Sequence, residues 1–326
     1  MATNTFNPFL FYSNQLQTLL AKSATQKNPA LWLYQNDART PLFMLEALTK
    51  LHDLAFDEKI FSKWNKRFKK LEDALGQIDY VFVFEREFKI NKKISKEVVS
   101  YFDSAVISQA ERLNQRLLNK EWLSGKLLNF NVKISEYTCL YDDEYLNEIR
   151  IALEKEVTRI EVFCQKSNFT FTKLEEEVHE LRRKLRWISI YAQALNGLIQ
   201  LKKSTKLKKL SINYFTKEVI NSPYNKLPQR PKGLATLEFD SNSFFVLSYL
   251  IKTIGKFKDD GLRLEALANA IAVTENITAK KATEKAIKLL GLKSNIETEI
   301  LKSASALAKT AIEKDKVLQT LIVKKG

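Results

Sequence analysis

The stretch Val178-His179-Glu180-Leu181-Arg182-Arg183-Lys184-Leu185-Arg186 sets the reading of this chain. At about 100° per residue, Leu174, Val178, Leu181, Leu185 and Ile188 fall into one apolar stripe. His179, Arg182, Arg183 and Arg186 gather on the arc beside it, and Ser189 and Gln193 extend that polar arc. Such a helix lays its stripe on a core and holds a cationic ridge along the edge of the contact. Its start carries a capping-box pattern, Thr172-Lys173-Leu174-Glu175, in which the hydroxyl and the carboxylate each satisfy an orphan backbone N–H. The pattern predicts a helix running to about Leu201.

The rest of the chain reads the same way. Leu42, Leu45, Leu48, Leu51 and Leu54 recur every third residue after Thr40-Pro41, with the proline early in the first turn where it is tolerated. Residues 57–76 place Ile60, Phe61, Trp64, Phe68, Leu71 and Leu75 mostly three and four apart, and Gly76 is expected to interrupt them. Asp79-Tyr80-Val81-Phe82-Val83-Phe84 fits a strand or a buried helix, and its helical neighbours favour the helix. Further helices are expected over 95–128, 142–166 (with Asp142-Asp143-Glu144 complementing the helix dipole), 243–272 with breaks near Gly255 and Gly261, and 278–290. A last helix begins at a second capping box, Ser294-Asn295-Ile296-Glu297. One short helix is expected around Phe9, Leu16, Leu19 and Leu20. Three of the six prolines (Pro223, Pro228, Pro231) make residues 221–243 an extended excursion. The expectation is an all-α fold of about nine or ten helices.

Composition agrees. Among 326 residues 45% are apolar, enough for a sizeable core, while 8 glycines suit long helices better than loop-rich β structure. With 53 Lys+Arg against 38 Asp+Glu, the net charge is +15. Such an excess concentrates anions around the chain: nucleic acid, inorganic polyphosphate or an anionic membrane surface. Two cysteines, Cys139 and Cys164, are too few for a disulfide framework and read as buried thiols. With two histidines, no Cys/His zinc spacing arises. No run of apolar residues is long enough to span a membrane and the first residues lack a signal-peptide pattern, so the expected location is the cytoplasm.

The ridge suits a ligand of closely repeated charges. Arginine offers a planar fork of donors that matches phosphate oxygens and stays charged at any relevant pH. Lys202, Lys203, Lys206, Lys208 and Lys209 extend the field beyond the helix end. The alternative for the same helix is a solvated face on which Glu175 to Glu177 and Glu180 pair with Arg182, Arg183 and Lys184 at spacings of three and four.

Val178-His179-Glu180-Leu181-Arg182 followed by Leu185-Arg186 resembles the opening helix of the CHAD family, the conserved histidine α-helical domain. His179, Arg182 and Arg186 match the family's histidine, the arginine three residues on and the arginine seven residues on. A later Gly element in each half is similar too: Ile254-Gly255-Lys256-Phe257-Lys258-Asp259, and Leu75-Gly76-Gln77-Ile78-Asp79, which lacks the basic residue. The leading helix of the first half has Arg39 and Lys50 but no matching histidine, since His52 comes too late.

The resemblance implies two pseudo-symmetric helical bundles, residues 1–166 with a degenerate motif and residues 167–326 with the basic one. It implies a basic groove between them that binds inorganic polyphosphate without catalysis, and no cofactor or metal. The residues expected to line it are His179, Arg182, Arg183 and Arg186, supported by Arg39, Lys66, Arg67, Lys256 and Lys258. His179 would serve as a donor tunable near its ordinary pKa of about 6.5.

Three other functions fit the charge less closely. RNA binding would call for basic and aromatic residues interleaved, whereas the aromatics sit mostly at core spacing. An enzyme would need a metal-binding acid cluster or a nucleophile, and Asp142-Asp143-Glu144 reads better as a helix start. A helical scaffold for another protein is the fourth reading.

Overall fold

The computed structural model describes residues 6–136, 141–203, 210 and 213–323, apart from the side chain of Lys258. Cys139 and Lys206, Lys208 and Lys209 lie outside the described residues. Twelve α-helices make up most of them: α1 (Pro8–Ser23), α2 (Pro29–Gln35), α3 (Arg39–Phe56), α4 (Lys59–Ile90), α5 (Lys96–Asn119), α6 (Lys126–Glu136), α7 (Asp143–Lys166), α8 (Glu180–Ala194), α9 (Lys217–Ile220), α10 (Ser241–Thr274), α11 (Ala279–Leu290) and α12 (Ile296–Ala308). Short polar side chains start many of them. Asn7, Asn28, Ser95, Asp142 and Asp240 each accept from a backbone N–H of the first turn. The fold is all-α, and none of the described helices is long and apolar enough to cross a membrane.

Two helices are longer than the glycines in them suggest. α4 passes through Gly76 and α10 through both Gly255 and Gly261 without a break. A helical glycine costs roughly 1 kcal/mol relative to alanine. In α4 the apolar period outweighs it, because Leu71, Leu75, Ile78, Val81 and Phe84 stay buried on one face across the glycine. All three expected breaks are instead points of close approach. A β-carbon at Gly76 would lie 3.2 Å from Arg39 Nη2, one at Gly255 2.9 Å from Arg182 Nε, and one at Gly261 2.7 Å from Leu174 Cδ2. The 79–84 segment is helical, within α4.

The 95–128 span divides into α5 and α6 at Gly125, whose φ is +106°. The first capping box does not form. The turn Leu174–His179 is a wide π turn, and Glu177 rather than Glu175 reaches back, accepting from the N–H groups of Thr172 and Lys173 at 2.5 and 2.8 Å. Residues spaced for a three-residue reach are thereby separated by the wider turn. At the second box the N-cap residue of α12, Asn295, makes no capping bond, and its side chain donates to Glu299 at 3.1 Å.

α8 ends at Ala194, short of Leu201, because Asn196 (φ +49°) and Gly197 (φ +99°) turn the chain out of the helix. Residues 199–202 become strand β1 (Ile199–Lys202), parallel to β2 (Leu237–Asp240) with Ile199 opposite Leu237. The proline-rich excursion is thus part of the crossover that two parallel strands require. Ile322 bridges Phe239 from the other side.

One continuous core runs from Phe9 on α1 to Leu321 near the end of the chain. α3 packs on α4, α7 and α8, and α8 packs on α7 and α10. A second, smaller core lies where the C-terminal half of α4 and the start of α5 meet the C-terminal half of α10 and α11, around Phe84, Phe88, Phe102, Leu267 and Ile271. Cys164 is buried, and burial pushes its thiol up to about 12.

Candidate anion site between α3 and α8

α3 and α8 lie side by side, with α4 packed against the first and α10 against the second. Arg39 opens α3 and Arg182 lies on the first turn of α8. Each guanidinium rests on a glycine of the neighbouring long helix, Arg39 on Gly76 and Arg182 on Gly255. The two differ in partners. Arg39 is clamped: Nε and Nη2 donate to Glu72 Oε1 at 3.0 and 2.6 Å, and Nη1 donates to Asp79 Oδ2 at 2.5 Å. Tyr34 holds the other oxygen of Asp79 at 3.1 Å. Among the described residues Arg182 makes one hydrogen bond, from Nε to the carbonyl of Ile251 at 3.2 Å, and Asp259 offers it a charge at longer range.

Arg186, one turn further along α8, stacks on the ring of Phe43 with its guanidinium carbon 4.5 Å from the centroid. Arg39 stacks on the same ring at 5.3 Å. Arg186 is half-buried and makes no hydrogen bond or ion pair among the described residues. Burial first, then the like charges of Arg182 and Arg39, pull its pKa below the ordinary arginine value, with the charge of Glu72 opposing them in part. A cation withdrawn from water without a partner is costly, and the contact with Phe43 returns only about 1–2 kcal/mol of that. The group therefore presents unused donors to any anion that reaches it.

Arg183 and His179 are spoken for within their own helix. Arg183 Nε donates to Glu180 at 2.7 Å, and this bond raises its pKa. His179 Nδ1 lies 2.5 Å from Glu175 Oε1. Lys184 also pairs with Glu180, at 3.2 Å. Part of the ridge is thus the self-paired face that the sequence allowed, and part is not.

Of the supporting residues, Arg39 joins Arg182 and Arg186. Arg67 stacks on Trp64 at 4.4 Å and lies in electrostatic range of Lys126 on α6, on another side of α4. Lys66 is exposed near Asp53, at the far end of α3 from Arg39. Lys256 is exposed and neighbours Glu218, which pairs with Lys252. Lys258 belongs to α10, its side chain outside the described residues.

The structure adds residues that the sequence did not single out. Phe43 appeared only as part of an apolar face, and Glu72 not at all, because the clamp on Arg39 joins residues 33 apart in the chain. Glu46 lies buried at the same junction. Burial, then the charge of Glu72, push its carboxyl up to about 7, while Asp73 adds to this and Lys69 and Lys50 oppose it. Tyr224 comes from the excursion: the residue is 73% exposed and its hydroxyl lies within electrostatic range of Arg186. A solvent-facing aromatic in a proline-rich stretch was the only available signal.

His52 is a core residue. Nδ1 faces the carbonyl of Leu48 at 2.7 Å, Nε2 meets the Tyr145 hydroxyl at 3.1 Å, and Phe9, Phe56 and Phe61 surround the ring. Among the described residues no group of three or more His, Cys, Asp or Glu is placed to hold a metal ion.

Comparison with known protein families, with curated proteins and with solved structures finds no match.

Proposed function

We propose that this chain binds inorganic polyphosphate, or a polyanion of similar charge spacing, at the junction of α3 and α8, and that it does so without catalysing a reaction. The observation that carries the reading is Arg186: a half-buried guanidinium with no hydrogen bond or ion pair among the described residues, stacked on Phe43 and flanked by Arg182 and Arg39. Oxyanions repeated along a chain would supply the missing counter-charge to both Arg182 and Arg186, and the net charge of +15 would draw them in. Glu72 and Asp79 already neutralise Arg39, so its part is to hold Phe43, the ring on which Arg186 stacks.

The reading takes the chain as a divergent member of the CHAD family, acting in the cytoplasm. The similar placement of Arg39 on Gly76, with Asp79 beyond it, and of Arg182 on Gly255, with Asp259 beyond it, supports two related halves, residues 1–166 and 167–326, meeting at the site.

The test is the charge-reversal pair Arg182→Glu with Arg186→Glu. Polyphosphate binding, followed by fluorescence anisotropy of an end-labelled chain, is expected to disappear while far-UV circular dichroism stays unchanged. Retained binding by the folded variant refutes the site. RNA that binds tightly and is not displaced by long polyphosphate would point to nucleic acid instead.

A further inference from the structure

The excursion between the two strands docks on α8 at the end of the polar arc. Gln193, two turns beyond Arg186, donates through Nε2 to the carbonyls of Tyr224 at 2.9 Å and Lys226 at 3.2 Å. Residues Pro223–Asn225 form a 3-10 turn. The buried Asn225 side chain ties that turn to α9, donating to the carbonyl of Val219 at 2.6 Å. The backbone around Tyr224 is therefore held from both sides. Its side chain is not: the residue stands 73% exposed. Gln193 lies on the same helical face as Arg186, so the turn is fixed further along that face, and the Tyr224 hydroxyl lies within electrostatic range of the Arg186 guanidinium.

We propose that Tyr224 is a ligand-binding residue of the anion site, its hydroxyl donating to an oxygen of the same anion that Arg186 holds. The excursion thereby forms one wall of the site rather than a bare connection between strands. This rests on the anion-binding reading above and names a further recognition residue for it. The chemistry it selects is an oxyanion with a second acceptor oxygen within reach of a neutral donor, as in a phosphoryl group, over an anion that is only a diffuse charge. Phenols donate short, strong bonds to charged oxygens, and a tyrosine loses little rotamer freedom in doing so because it has two side-chain torsions.

The experiment compares Tyr224→Phe, Arg186→Gln and the unaltered chain for binding of end-labelled polyphosphate across a salt series. Counterion release makes the slope of log affinity against log salt a count of charge contacts, by about one per contact on the relation for nucleic acids. Tyr224→Phe removes a neutral donor and leaves the ring. Affinity is expected to fall about fivefold at every salt concentration with the slope unchanged, and Arg186→Gln should lower the slope by about one. An exposed ring losing one oxygen does not endanger the fold, so loss of structure will not imitate the effect. If Arg186→Gln lowers the slope while Tyr224→Phe binds like the unaltered chain, the role of Tyr224 is overturned and the anion site stands. If the unaltered chain does not bind polyphosphate, or Arg186→Gln changes neither affinity nor slope, the anion-binding reading has failed and Tyr224 falls with it.

Discussion

The guanidinium of Arg182 lies against the backbone of α10 at Gly255, where a β-carbon would sit 2.9 Å from Nε and 3.1 Å from Nη2. Only an absent side chain allows that approach, so the glycine positions the arginine. Gly255→Ala is therefore expected to push the tip of Arg182 aside. The displaced atoms end a flexible side chain, and alanine is the better helix former by about 1 kcal/mol. Stability in urea should be unchanged or slightly raised, while polyphosphate affinity drops several-fold. A variant that loses affinity only in proportion to lost stability would contradict this role.

The counterpart is milder. A β-carbon at Gly76 would meet Arg39 Nη2 at 3.2 Å, but that guanidinium is clamped by Glu72 and Asp79 and has less freedom to yield. Gly76→Ala should weaken the clamp and cost stability, by about 1 kcal/mol after the helix gain, with a smaller effect on binding than Gly255→Ala. Urea unfolding of the two variants side by side measures the contrast.

Much of this fold was legible because periodicity is a local signal. The stripe of α8, the acidic start of α7 and the apolar face of α3 are written within a few residues of one another. What was not legible depends on partners far away in the chain. Gly76 and Gly255 look like helix breaks until the arginines that fill their space, 37 and 73 positions away, are brought to them. Lys66 and Arg67 look like Arg39 in composition, yet they lie on α4 and turn towards Asp53 and Trp64, whereas Arg39 opens α3 and turns towards Glu72. Within the ridge itself, spacing alone could not say that Arg183 and His179 would pair with Glu180 and Glu175 while Arg186 would not.

Arg67 supplies a control. Arg67→Ala with Lys66→Ala removes two positive charges that lie away from the α3–α8 junction. At about 0.15 M salt the screening length is roughly 8 Å, so polyphosphate affinity should change less than twofold. Loss of the Trp64 contact should cost about 0.5–1 kcal/mol of stability. An affinity loss as large as that of the Arg182→Glu, Arg186→Glu pair would mean that the anion covers a different face.

Two buried groups make opposite contributions to stability as pH changes. Burial holds His52 down to about 4 from an ordinary 6.5. The unfolded chain therefore binds the proton more readily, and His52 stabilises the fold above 6.5 and loses that contribution as pH falls towards 4. Glu46 is pushed up to about 7 from 4.5. Its contribution is complete below 4.5 and is lost as pH rises through 7. Each displacement is worth about 3 kcal/mol. Between 4.5 and 6.5 the two nearly offset, so this pair should leave stability almost flat there. Glu46→Gln should uncover the histidine: stability gained by up to about 3 kcal/mol at pH 8, little changed at pH 5, and falling steadily from pH 6.5 to 4. Urea denaturation across pH reads all three, and a variant whose profile parallels the parent's would contradict the assignment to Glu46.

The excursion can be tested at its root. Gly197 has φ +99°, and a β-carbon there would lie 2.1 Å from the carbonyl oxygen of Gln229. Neither the backbone angle nor the contact admits an alanine, and the obstructing atom is backbone rather than a movable side-chain tip. Gly197→Ala should cost at least about 3 kcal/mol if the excursion stays in place. The other way to relieve the clash is for residues around Gln229 to lift away, which would loosen the hold of Gln193 on Tyr224 and Lys226. In that case the stability loss is smaller, but protease cleavage near residue 229 accelerates and polyphosphate affinity falls to the level of Tyr224→Phe. A variant as stable as the parent, uncleaved and binding normally would show that the excursion is not seated on Gly197 as described.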